Sequence, residues 1–135
     1  MKTNRAPVWF CRGSAGVLAA VSAARAEVVL SLAEPLDCQV VQRTSRDGAT
    51  IRLRGQLSGT EPAGVALEAR LVDGARTGAW QRLDARFDGG TFAGAIRAAA
   101  GGWYRLEVRA LRAGAAMAGA AVDRVGVGEV FVVAG

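Results

Sequence analysis

A chain of 135 residues suffices for one domain that buries about two-thirds of its unfolded surface, so a core can form without disulfide or metal staples. It is 51% apolar but only 6% aromatic, and its formal net charge of +5 invites a nucleic-acid reading that depends on where the charge sits. Histidine is absent, which excludes a Ser-His-Asp or Cys-His catalytic site contained in this chain and any histidine-bearing zinc site.

The charge resolves at the first element. Lys2, Arg5, Arg12 and Arg25 precede Glu27 and no acid does, which leaves 13 basic against 12 acidic residues in the body. A nucleic-acid partner is therefore not expected. The basic start, the modest apolar run from Gly13 to Ala23 and the ending Ala24-Arg25-Ala26 read as a secretory signal peptide over residues 1–26, hence a secreted or periplasmic protein. The run is too short to span a bilayer, and Cys11 precedes it, so no stable membrane anchor is expected. Without the leader, Cys38 is the one remaining thiol, and with no base in the sequence it reads as a small buried hydrophobe rather than a nucleophile.

After Glu27 the apolar period becomes two. Val28 to Leu32 is a short strand closed by Glu34-Pro35, since proline lacks the amide a central ladder requires. Leu36 to Arg43 is a second strand, ended by Ser45-Arg46-Asp47-Gly48 with hairpin-turn chemistry in Asp-Gly. Ile51, Leu53 and Leu57 face one way while Arg52, Arg54 and Gln56 face the other. Residues 59–64 form a loop, Val65 to Leu71 alternate again, and Asp73-Gly74 turns the chain. Trp80 to Phe87 reads as one strand, Asp88-Gly89-Gly90 as a tight turn, and Thr91 to Arg97 as the strand that follows. Tyr104, Leu106, Val108 and Ala110 alternate with Arg105, Glu107 and Arg109 in the most regular strand of the chain. Ala113 to Gly119 reads as a hairpin tip and return strand, and Ala120 to Val127 as the way out of the module.

These short strands at even spacing, with no convincing helix, predict an all-β antiparallel β-sandwich of immunoglobulin or fibronectin type over residues 27–124. Its expected core is Ile51, Leu53, Leu57, Leu67, Leu71, Trp80, Leu83, Phe87, Phe92, Trp103, Tyr104, Leu106 and Val108. Residues 125–135 stand apart. Gly126-x-Gly128 lacks the third glycine and the helix of a dinucleotide loop, so it reads as an inter-domain turn. The unbroken run Val130-Phe131-Val132-Val133 reads as a strand covered on both faces, the type found in the parallel sheet of an α/β domain.

Candidate chemistry is sparse. Asp84 and Asp88 read as strand-end and turn residues rather than an acid-base pair. Trp80, Trp103 and Tyr104 could stack on a sugar, but large rings in a sandwich more often fill the core; Trp103, out of phase with Tyr104, is the expected exception. The alternating arginines at 52/54, 82/86 and 105/109/112 read as solvated strand faces. No catalytic residue, metal ligand or cofactor site is expected within the chain.

Three stretches carry a resemblance. Gly128-Glu129-Val130-Phe131-Val132-Val133-Ala134-Gly135 resembles the entry strand of the catalytic domain of the sialate O-acetylesterase family, the SASA-type carbohydrate esterases of the SGNH-hydrolase superfamily. Gln39-Val40-Val41-Gln42-Arg43 is similar to an early strand of that family's N-terminal module, and Gly101-Gly102-Trp103-Tyr104-Arg105-Leu106-Glu107-Val108 to its glycine-then-strand element. In the family the entry strand leads into Gln-Ser-Asn, whose serine is the nucleophile, so the resemblance implies a sandwich followed by the first strand of an α/β hydrolase domain. It places no catalytic position on any residue of this chain. The implied activity of the full-length protein is hydrolysis of an ester, an acetyl group on sialic acid or another glycan, by an activated serine. The alternative reading is a self-contained secreted binding module that recognises glycan or protein through its loops.

Overall fold

The computed structural model describes residues 27–135, and the leader reading of residues 1–26 lies outside the described residues. Ten strands and no helix are formed among the described residues: β1 (Val29–Glu34), β2 (Gln39–Gln42), β3 (Gly48–Ser58), β4 (Val65–Asp73), β5 (Arg76–Thr77), β6 (Gln81–Arg82), β7 (Arg86–Asp88), β8 (Thr91–Ala99), β9 (Trp103–Arg112) and β10 (Ala115–Gly128). Their order is β1-β3-β8-β7 in one sheet, here sheet I, and β2-β10-β9-β4-β5 in the other, sheet II, with β6 also paired to β4. All pairings are antiparallel except β2 with β10, which run parallel. This is an all-β sandwich with the strand order of the immunoglobulin arrangement. No disulfide joins the sheets among the described residues, where Cys38 is the free, exposed cysteine.

Alternation builds the core as expected. Along β3, Ile51, Leu53 and Leu57 are buried while Arg52, Arg54 and Gln56 are exposed. Phe92 and Ile96 of β8 close sheet I against Leu67 of β4 and Leu106 and Val108 of β9. Each such side chain contributes about 1.5–3 kcal/mol by leaving water. Leu71 and Phe87 pack only partly buried against this cluster. Small residues complete it: Ala49, Ala69, Ala98 and Ala110 are buried too, and their low volume lets the sheets approach.

Several local expectations change. Trp80 to Phe87 is not one strand. Glu68 pairs with Arg82, the Leu83 N–H donates to the Leu67 carbonyl at 2.8 Å, and three residues later Arg86 pairs with Ala93 in the opposite sheet. The segment therefore switches sheets, with Leu83 buried at the crossing. Asp47-Gly48 makes no hairpin, because β2 and β3 belong to different sheets. The two-residue hairpin loops are Gly74-Ala75, Gly89-Gly90 and Ala113-Gly114.

The largest correction concerns the end of the module. Ala120 to Val127 does not leave the sandwich, and Gly126-x-Gly128 is no inter-domain turn. Both belong to β10, so the sandwich runs through Gly128 rather than residue 124. A register shift between Val122 and Val125 leaves Asp123 and Arg124 both exposed, and the inward phase then resumes with Val125 and Val127 fully in the core. Residues 129–135 form no strand, and Phe131, Val132 and Val133 are exposed. The buried-strand reading of Val130–Val133 is not realised among the described residues, where that run has no ladder partner.

Tyr104 fixes the turn into β9. Its ring is buried and its hydroxyl donates to the Ala99 carbonyl at 2.7 Å, the tyrosine corner of immunoglobulin-like sandwiches. Burial, with a smaller contribution from the charge of Asp73, raises its pKa. The unfolded phenol then ionises before the folded one, so stability is intact below the unfolded value near 10 and declines as pH rises beyond it. Tyr104→Phe should cost about 1 kcal/mol at neutral pH by removing this bond and should flatten the alkaline decline in urea melts. As the one tyrosine in the sequence, Tyr104 can be followed directly by its tyrosinate absorbance. At the β9–β10 hairpin, Ala113 holds φ 51° beside Gly114 at 78°, the pair of positive values that a type I′ turn demands. Ala113→Asn should raise unfolding free energy by about 0.5–1 kcal/mol, since asparagine tolerates this conformation better than alanine.

Candidate functional site

One end of sheet II gathers the most unusual features. The last residues of β10 lie between two partners: Val125, Gly126, Val127 and Gly128 pair in parallel with Gln39, Val40, Val41 and Gln42 of β2, while Gly126 also pairs with Trp103 of β9. Backbone bonds extend both seams. The Cys38 N–H donates to the Arg124 carbonyl at 2.7 Å and the Arg43 N–H to the Gly128 carbonyl at 2.7 Å. On the other side, the Gly101 N–H donates to the Val127 carbonyl at 3.0 Å, and the Val127 N–H to the Gly102 carbonyl at 3.3 Å. This clamp requires φ of 91° at Gly101 and 134° at Gly102, values that side chains disfavour.

Gly126 is what seats Trp103. A β-carbon at position 126 would stand 3.1 Å from Cζ3 of the indole, a tight contact that would push the ring outward by a few tenths of an ångström. Trp103 remains 51% exposed and Val40, on the other flank of Gly126, 39% exposed. Just beyond β10 the Arg43 guanidinium closes on the Glu129 carboxylate, with its Nε donating at 2.6 Å, and the chain then presents Val130 and Phe131 to solvent. Trp103, Val40 and the run after Glu129 together make an apolar surface at the end of the module, of the kind that marks an interaction site.

The outer face of sheet II beside this end is a charge lattice. Cross-strand register opposes Arg70 to Glu107 and Glu68 to Arg109, and the pairs close at 2.5 and 2.6 Å. Arg105 reaches Glu107 at 3.1 Å and also Asp123, whose exposure follows from the register shift in β10. Trp80 packs on this lattice: the guanidinium carbons of Arg70 and Arg109 lie 4.4 and 4.1 Å from its ring centre. Trp80 is therefore half-buried on the outer face, not in the core. A shallow depression beside it is bordered by Arg105 and Glu107 and floored by Gly119 to Ala121. The hydrogen bond from Arg70, assisted by that from Arg105, holds the Glu107 carboxyl below its ordinary pKa against the opposing effect of burial.

Of the three aromatic residues considered for sugar stacking, Tyr104 is a core residue, while Trp103 and Trp80 reach the surface at different places. Trp103 and Trp80 both correct the core expectation, and of the two only Trp103 is singled out by the sequence as the exception. Asp84 lies in the sheet-switching segment and Asp88 at the β7–β8 hairpin, both exposed. Cys38 is not buried as expected: in the turn before β2, at φ 63°, its thiol is exposed, and its Sγ lies 3.7 Å from an Asp37 carboxylate oxygen. Among the described residues no group of three or more His, Cys, Asp or Glu side chains could hold a metal ion, and no helix is long and apolar enough to cross a membrane. Sequence reading assigns Gly126 to a turn and does not bring Val40 or the Arg43–Glu129 pair to this site; a glycine inside a strand pattern is the one local signal of close approach that is available. No known protein family matches the chain, and no curated protein matches it.

Because Glu107 has a depressed folded-state pKa, its contribution is present above the unfolded carboxyl value and disappears as pH falls through the folded one. Glu107→Gln should thus cost about 1 kcal/mol in urea melts at pH 7 and distinctly less in acid. Equal losses at both pH values would contradict the ion-pair assignment.

Proposed function

We propose that this chain is the non-catalytic β-sandwich module of a secreted serine carbohydrate esterase, which removes O-acetyl groups from sialic acid or another glycan. One observation carries the reading. The three stretches that resemble that family, residues 39–43, 101–108 and 128–135, are remote in sequence yet meet at one end of sheet II. There they form β2, the start of β9 and the end of β10, and there the apolar run leaves the sandwich.

The division of labour follows from chemistry. Ester hydrolysis by serine needs a hydroxyl, a base to take its proton and donors for the oxyanion, and a chain without histidine cannot supply the histidine base of a Ser-His-Asp site. In this reading a hydrolase domain brings the nucleophile, and the module brings a rigid wall. Trp103, Val40 and the Arg43–Glu129 pair form the seat on which that domain rests, and Val130–Val133 becomes the first strand of its sheet. The alternative, a self-contained binding module, draws support from the fact that the core closes without any residue after Gly128.

The reading frame past Gly135 is the direct test: continuation into Gln-Ser-Asn and an α/β domain supports the esterase reading, and any other continuation or a stop removes it. Deleting Val130–Gly135 separates the alternatives at the protein level. On the esterase reading the deletion leaves Tm within about 2 °C and abolishes self-association and dye binding by the exposed run. A parent chain that stays monomeric and binds no hydrophobic dye would favour the self-contained module.

A further inference from the structure

The arginines at the middle of the two outer faces have different partners, while Arg76, Arg82 and Arg112 at the margins of sheet II form no ion pair among the described residues. On sheet II, Arg70, Arg105 and Arg109 each meet a carboxylate. On sheet I, Arg52, Arg86 and Arg97 form no ion pair among the described residues, and Arg54 approaches Glu34 only to 3.9 Å between exposed side chains. Register arranges them. Arg54 and Arg86 pair with the same residue, Ala93, from opposite sides, and Arg52 pairs with Ala95 in the next outward row. Arg54 and Arg86 therefore stand two ladder spacings apart, roughly 10 Å, and Arg52 lies about 7 Å from Arg54 along β3. Between them is an open depression with Ala93 and Ala95 as its floor. Asp84 is the one carboxylate that lines it, against three guanidinium groups. Glu34 of β1 stands directly opposite Arg54 in the ladder, and Asp88 lies on β7 two residues from Arg86, so carboxylates border the face at both edges.

Like charges placed in one cross-strand row repel, and a strand face that is merely solvated gains from alternating sign, as sheet II does. We infer that the outer face of sheet I, through Arg52, Arg54 and Arg86, binds a linear polysaccharide carrying carboxylate or sulfate groups. Guanidinium forks grip such anions with two parallel hydrogen bonds. The alanine methyls offer a flat floor for the C–H faces of sugar rings. Phe87 and Phe92 of this sheet point inward, so the face has no aromatic platform for unpaired bases. It also has no protruding element to enter a duplex groove. The inference is independent of the esterase reading, since these residues lie on the opposite sheet from Trp103 and the apolar run.

Affinity electrophoresis of the full chain in gels containing polygalacturonate, dextran sulfate or neutral dextran tests it, with poly-L-glutamate and a single-stranded oligonucleotide as competitors. Retardation is expected in one or both acidic polysaccharide gels, weakening with salt, and not in dextran. The gel that retards distinguishes carboxylate from sulfate recognition. Arg52→Ala/Arg86→Ala should weaken binding roughly tenfold or more, and Arg54→Ala alone several-fold. Arg46→Gln/Arg76→Gln removes the same charge away from the face and should leave binding nearly unchanged. Unaltered thermal melts establish that each variant is folded. The inference is overturned if no acidic polysaccharide retards the chain or if both double variants lose affinity equally. Competition by poly-L-glutamate or the oligonucleotide at concentrations as low as those of the polysaccharide also overturns it.

Discussion

The backbone ladder of β10 is the constraint on which the rest of the structure depends. Its 14 residues pair antiparallel with β9 and, over the last four, parallel with β2. The register shift between Val122 and Val125 makes this double use possible, because it restores an inward phase after two outward residues. Val125 and Val127 then enter the core, Gly126 faces out beneath Trp103, and Asp123 becomes available to Arg105. Core closure, the apolar end and part of the charge lattice all trace to that one irregularity.

The lattice on sheet II shows how a chain rich in arginine keeps a face in order. Three cross-strand ion pairs, one pair within β9 and one indole hold three guanidinium groups in place, and the participating side chains of Arg70, Glu68 and Glu107 are 28, 25 and 22% exposed. At that exposure each pair contributes little to stability, on the order of 1 kcal/mol or less, but the shared partners fix geometry. The unpaired arginines of sheet I have no comparable order imposed on them. That contrast gives the two faces different chemistry although both are made of alternating strands.

Function divides along the same lines. The module has its own core, so its folding does not wait on residues after Gly128. Its apolar end, by contrast, leaves Trp103, Val40 and Phe131 exposed. The proposed esterase assigns their cover to a hydrolase domain. Sheet edges elsewhere, such as the two-residue, arginine-bearing strands β5 and β6, are too short to template another chain.

The fold class, most strand positions and the buried members of β3, β4, β8 and β9 were legible in the sequence, because a half-buried strand writes its burial directly into a two-residue period. Asp73-Gly74 and Asp88-Gly89-Gly90 were legible as turns for a similarly local reason, the need for positive φ. The period says nothing about which sheet a strand joins, so the switch at Leu83 and the separation of β2 from β3 were invisible. It also fails wherever the register slips, which is why β10 read as a departure from the module instead of its central strand. Trp80 was misplaced because a large ring satisfies the same pattern whether it fills a core or lies on guanidinium groups. What the sequence determined by itself was the alternation and the turns, which are encoded within a few residues. Partner choice, the seat at Gly126 and the different partners of the arginines at the middle of the two faces were decided by tertiary structure alone, since each depends on residues brought together from distant strands.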